Sequence, residues 1–232
     1  MNAVVDLSRL PGVWRGGDLD HAAPPGLPTG FPLLDVQLPG GGLPRSGLVE
    51  VLHEACGIGE VSFLLGAMRL VAAEGRAIAW IQPPHLPYAP AIASAGVPLE
   101  ACLVVRPATP EEALWSADQA LRSGACGAAL FWLPDKTDYA ALRRLQMAAE
   151  AGRCLAVLFR PPAAASQSTP AHLRVLLASQ DGHLLVTLPK RRGPPLTRPV
   201  PISVRAQPGR RVSGHPTLVD LSAARHAAAA SA

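Results

Sequence analysis

Short apolar runs alternate with helical repeats along most of the chain. Leu48-Val-Glu-Val-Leu52 has the length of a strand. From Glu60 to Glu74, Val61, Leu64, Leu65, Met68 and Val71 fall at helical spacing, and Gly75 supplies the stop. Ala77–Ile81 reads as a second strand and Cys102–Arg106 as a third. Pro110-Glu-Glu opens a helix that runs to about Ser123, with Gly124 after it. Gly127–Leu133 is a fourth strand, Thr137–Ala151 a helix capped by Asp138 or Thr137, and Cys154–Phe159 a fifth strand. Buried strands separated by helices predict an α/β domain with a mostly parallel sheet covered on both faces.

The pattern then changes. Arg160–Pro170 reads as a loop. Leu173–Leu177 and His183–Leu188, joined by Ala178-Ser-Gln-Asp-Gly182, predict an antiparallel hairpin near the C-terminus, with a further edge strand at Pro199–Val204. Three regions follow: an arm over residues 1–28, a core over 29–206, and a basic then Ala-rich extension over 207–232 that frays. Trp14 and Arg15 stand out in the arm, because a tryptophan there calls for a surface to pack on.

Composition narrows the class. With 49% hydrophobic and 16% charged residues among 232, the chain is globular rather than disordered. No apolar run reaches the roughly 20 residues that span a bilayer, and the first residues lack signal-peptide features, so no membrane role and a cytoplasmic location are expected. Four cysteines without a CxxC pair predict free thiols and no metal site. Charge is uneven. Between Gly182 and Val219 lie seven cations, among them Lys190, Arg191, Arg192, Arg210 and Arg211, and no acid. That leaves fourteen of the 21 cations against all 17 acids elsewhere. This segment suits an acidic partner or weak, sequence-independent nucleic-acid binding.

The first strand–loop–helix is where an α/β protein holds phosphate, and its loop is His53-Glu-Ala-Cys-Gly-Ile-Gly59. A working P-loop needs Lys and then Ser or Thr after its last glycine. Here Glu60 and Val61 stand there. A carboxylate repels phosphate, whereas an acid at a helix start is itself favourable. Glu60 therefore replaces the phosphate charge instead of binding it. No other catalytic motif is present, and no catalytic residue or cofactor is expected.

Pro28-Thr-Gly-Phe-Pro-Leu-Leu-Asp35 and Leu38-Pro-Gly-Gly-Gly-Leu-Pro-Arg-Ser-Gly-Leu-Val-Glu-Val51 resemble the approach to the P-loop in RecA-type recombinases, a likeness that covers roughly residues 28–205. Within that superfamily the chain looks most like the ImuA proteins, accessory factors of SOS-induced translesion DNA synthesis. Gly57-Ile-Gly-Glu60, Trp14-Arg15-Gly16-Gly17 and Lys190-Arg-Arg-Gly-Pro-Pro195 carry that likeness. The SulA-type cell-division inhibitors resemble it too. Carried over position by position, the recombinase lysine matches Glu60, the threonine Val61, the catalytic glutamate Pro84 and the metal-supporting aspartate Trp132. The resemblance implies a RecA-like pseudo-ATPase that binds other proteins. Its partners would be an ImuB-type Y-family polymerase homologue, an error-prone DnaE-type polymerase and RecA, with self-association through the arm. The alternative it implies is a division inhibitor that binds an FtsZ-like filament protein. A DNA-dependent ATPase is the remaining reading.

Overall fold

The computed structural model describes residues 24–134, 137–204 and 217–220. Nine strands form one sheet: β1 (Gly47–Leu52), β2 (Ala77–Ile81), β3 (Cys102–Arg106), β4 (Cys126–Trp132), β5 (Leu155–Arg160), β6 (Leu173–Gln180), β7 (His183–Lys190), β8 (Leu196–Ile202) and β9 (Thr217–Asp220). Their order across the sheet is β8-β7-β6-β1-β5-β4-β2-β3-β9. All neighbours are parallel except β6–β7 and β7–β8. This is the mixed α/β sheet with a C-terminal antiparallel set that the hydrophobic pattern predicts.

Helices cover both faces. On one side α1 (Pro32–Asp35), α2 (Leu65–Ala73) and α3 (Ala89–Ser94) contribute Leu34, Met68, Val71 and Ile92 to a core with Val49, Val51, Ile78 and Val157. On the other, α4 (Pro110–Arg122) and α5 (Tyr139–Ala151) pack Ala117, Leu121, Leu142 and Leu145 against Leu48, Ala79, Ala129 and Leu158. Successive residues of a central strand thus feed opposite cores, which is why these strands read as unbroken apolar runs. The caps follow the expected chemistry: the Thr109 hydroxyl accepts from Glu112 N and the Asp138 carboxylate from Ala141 N. Asp181 and Gly182, both with positive φ, close the β6–β7 hairpin.

Four features depart from the sequence expectations. Helix α2 starts at Leu65 rather than Glu60, because Ser62–Leu64 winds as a tighter 3₁₀ turn behind the loop. The short helix α3, opened by Pro90 in its first turn, was not apparent in a Pro-rich stretch. The segment expected as a free arm joins the core by residue 27: Leu27 exchanges both backbone hydrogen bonds with Leu43 and is 1% exposed. A Cβ on Gly42 would lie 2.4 Å from the Leu27 carbonyl carbon, so only glycine allows that approach. Finally, β9 lies in the extension expected to fray, yet it adds a parallel strand beside β3.

Candidate functional site

The degenerate phosphate loop follows the end of β1, in the middle of the sheet. Gly57 and Gly59 have φ of +84° and +100°, so the turn needs glycine there. The Glu60 side chain folds back into this turn. Gly57 N donates to both Glu60 carboxylate oxygens at 3.0 Å, and Gly59 N donates to Oε2 at 3.2 Å. Glu60 is 8% exposed. The N–H groups that would cradle a phosphate in a working loop are therefore occupied by the chain's own carboxylate. Val204, just beyond β8, closes over the loop: a Cβ on Gly59 would lie 2.7 Å from its Cγ2.

Hydrogen bonds from backbone N–H to a charged acceptor contribute about 1.5–3 kcal/mol each, set here against the cost of burying the carboxylate. Glu60→Ala is expected to lower stability by about 1–2 kcal/mol, since water reaches the freed N–H groups. Urea denaturation measures this. A variant as stable as the parent would show that the carboxylate does not hold the loop.

Beside the loop, the C-terminal ends of the strands carry aromatic rings. Trp132, the last residue of β4, stacks on Phe159 of β5 with ring centroids 4.4 Å apart and planes 5° apart. Trp80 of β2 stacks on its other side at 6.4 Å and 12°. The imidazole of His53 meets Phe159 edge-on at 5.7 Å, and its Nδ1 lies 3.0 Å from Ala55 O. Trp132 therefore sits inside a four-ring ladder at the C-terminal end of β4. Among the described residues the indole nitrogen of Trp132 is buried without a hydrogen-bond partner. Pro84 and His85 follow β2 and are both exposed. Among the described residues no cluster of His, Cys, Asp and Glu could hold a metal ion, and no helix is long and apolar enough to cross a membrane.

A buried ion cluster beneath the loop escaped the sequence reading. Glu50, in the middle of β1, has no exposed surface. Arg160 Nη1 donates to its Oε1 at 2.9 Å, and Arg174 Nε to its Oε2 at 2.8 Å. Arg174 also donates to the carbonyls of Ala165 and Gln167, and Arg160 to the Gln167 side chain. The cluster thus ties the β5–β6 connection to the central strand. The available signal was an acid inside an otherwise apolar strand, Leu48-Val-Glu-Val-Leu52.

The predicted cations are not near the loop. Lys190 and Arg191 lie at the end of β7, where Lys190 Nζ donates to Thr169 O at 2.7 Å and Arg191 donates to the carbonyls of Pro194 and Gln37. Burial, and then the neighbouring Arg174, push the Lys190 ammonium below its ordinary value, while Glu50 opposes this. Arg192 is exposed beside them. These side chains shape their own turn as well as the surface. Trp14, Arg15, Arg210 and Arg211 lie outside the described residues.

The four thiols differ in environment. Cys56, on the loop, is exposed, and Cys102, Cys126 and Cys154 are buried. Burial, with a smaller contribution from Cys126, pushes the Cys154 thiol up to about 12, against a smaller opposing effect of Arg76. A raised value means that the folded state keeps its proton where the unfolded thiol loses it. This contribution to stability is complete below the ordinary thiol value near 9 and is lost as pH rises toward 12. Chemical denaturation should show stability falling across that window. Cys154→Ala should flatten the fall; an unchanged slope would assign it to other groups. In the native protein an aromatic disulfide reagent is expected to label Cys56 and spare the other three.

Comparison with known proteins finds SulA and RecA relatives. The family described as "Cell division inhibitor SulA" matches residues 49–156. The chain is 35% identical over 120 residues to the "Cell division inhibitor SulA" of Edwardsiella piscicida, spanning 51% of this chain and 71% of that protein. It is 40% identical over 116 residues to "Protein RecA" of Saccharopolyspora erythraea and 34% over 113 residues to that of Cutibacterium acnes. Those matches span 49% of this chain but 32% of each RecA. The crystal structure of SulA from Pseudomonas aeruginosa aligns with 49% of this chain and 97% of its own, at 22% identity and a TM-score of 0.42.

Proposed function

The chain belongs to the SulA family, and from that membership and its self-filled phosphate loop we propose that it is a non-catalytic, RecA-like accessory protein of the DNA-damage response. The observation that carries this reading is the Glu60 carboxylate bonded to Gly57 N and Gly59 N. A nucleotide phosphate entering there would have to displace a carboxylate of the same sign. A metal ion would meet the Trp132 indole in place of an acid. What such a domain retains is surface for protein contacts.

The specific role is that of an ImuA-type factor in SOS-induced translesion synthesis. It would bind an ImuB-type Y-family homologue and an error-prone DnaE-type polymerase in the cytoplasm, with RecA as a further contact. The basic segment that begins at Lys190 favours this role, because it suits a complex assembled on DNA. The family match and the Edwardsiella relative favour a second role, inhibition of division through an FtsZ-like filament protein.

Co-purification from DNA-damaged cells separates the two. Recovery of the Y-family homologue and the DnaE-type polymerase supports the translesion role. Recovery of the filament protein alone, with suppression of its polymerisation by the purified chain, would replace that role with the division reading. DNA-stimulated ATP hydrolysis that is lost on changing Gly59 would overturn the non-catalytic reading itself.

A further inference from the structure

At the end of β1 opposite the phosphate loop lies a cavity of about 530 Å³, bordered by Ser46, which precedes β1, and by Leu173 at the start of β6. This is within the range of roughly 300–1,000 Å³ typical of ligand sites. Five of its fourteen lining residues are proline, including Pro44 and Pro170, and five are basic or histidine, including Arg45, Lys190, Arg191 and Arg192. No Asp or Glu lines it among the described residues.

We propose that this cavity is a docking site for an acidic, partly apolar peptide segment of a partner protein. Charge complementarity is the first reason. Cations of one sign gathered around a concave, low-dielectric wall focus a positive potential into it. Preorganisation is the second. Lys190 is held by Thr169 O, and Arg191 by the carbonyls of Pro194 and Gln37, so their positions are set before a ligand arrives. The proline walls are rigid, apolar and poor in N–H groups. They suit aliphatic side chains and offer little of the successive backbone N–H nest that a phosphate cradle uses. No Phe, Tyr or Trp lines the cavity, so it lacks the large rings on which nucleic-acid bases stack most strongly. Together these features favour carboxylates on a peptide over phosphates on a nucleic acid. The site lies away from the degenerate loop and does not depend on which of the two cellular roles above is correct.

The test uses the full chain and fluorescence anisotropy. The probes are a labelled peptide of Glu-Glu-Leu repeats, its Gln-Gln-Leu counterpart, and a labelled oligothymidylate of equal charge. The acidic peptide is expected to bind at least about tenfold more tightly than the neutral one, and to weaken as salt rises. Arg45 is half exposed, and its ion pair with Glu74 lies on the surface, so Arg45→Glu leaves the fold intact. Arg45→Glu combined with Arg192→Glu is expected to reduce acidic-peptide affinity about tenfold or more, with circular dichroism verifying that the double variant is folded. Equal affinity for the two peptides, tighter binding of the oligothymidylate, or affinity unaffected by the two reversals would each overturn the proposal.

Discussion

Glu50→Gln is expected to produce the largest loss of stability of any single substitution that preserves side-chain size. Glu50 has no exposed surface, and its two guanidinium partners, on Arg160 and Arg174, are 3% and 6% exposed. The amide keeps the shape and removes the negative charge that both guanidiniums share. The two buried cations then keep their neutral partners but lose the carboxylate between them. Breaking one side of a buried ion cluster costs about 3–5 kcal/mol. For a domain of this size each kcal/mol lowers the melting temperature by about 2–4 °C, so a fall on the order of 10 °C is expected. Calorimetry measures it. Hydrogen exchange should also rise in the Pro162–Ser166 turn, since Arg174 holds the carbonyls of Ala165 and Gln167. A melting temperature close to that of the parent would show that the cluster is not a structural tie.

Trp132→Asp has the second-largest expected effect. It places an acid at the position that the resemblance to recombinases assigns to the metal-supporting aspartate. In this chain that place is the centre of a stack, between Trp80 and Phe159. Removing a large aromatic side chain from such packing costs about 3–5 kcal/mol, and the new carboxylate adds a desolvation penalty. Partial exposure of Trp132 lets water reach the new carboxylate, which places the expected loss near 3 kcal/mol. The double variant Glu60→Lys/Trp132→Asp is expected to be destabilised and still not to hydrolyse ATP, because the resemblance to recombinases assigns Pro84 to the position of the water-orienting glutamate. ATP turnover by the double variant would show that the degeneration lies in those two positions alone.

Most of the architecture was legible in the linear pattern. Five of the parallel strands, β1 to β5, appeared as apolar runs of strand length, because the central ones have both faces covered. The hairpin appeared through Asp181-Gly182, whose left-handed backbone few other pairs adopt. Glu60 stood out in the loop, since the phosphate-loop motif depends on residue type at fixed spacing. Even the role of Glu60 as a substitute anion followed from charge and position alone.

What the chain order did not reveal is whatever depends on residues far apart in it. Glu50, Arg160 and Arg174 are brought together because β1 lies between β5 and β6, an order that no local signal encodes. The ladder of His53, Trp80, Trp132 and Phe159 forms because four strands end at one level of the sheet. The cations at Lys190 and Arg191 read as a free basic run, yet folding supplies Thr169 O, Pro194 O and Gln37 O as partners and a proline-walled cavity beside them. Motif chemistry and strand burial are written in neighbouring residues, where spacing and backbone preference act. Ion clusters, ring stacks and cavities arise from strand order, and that order is set by the packing of the whole sheet.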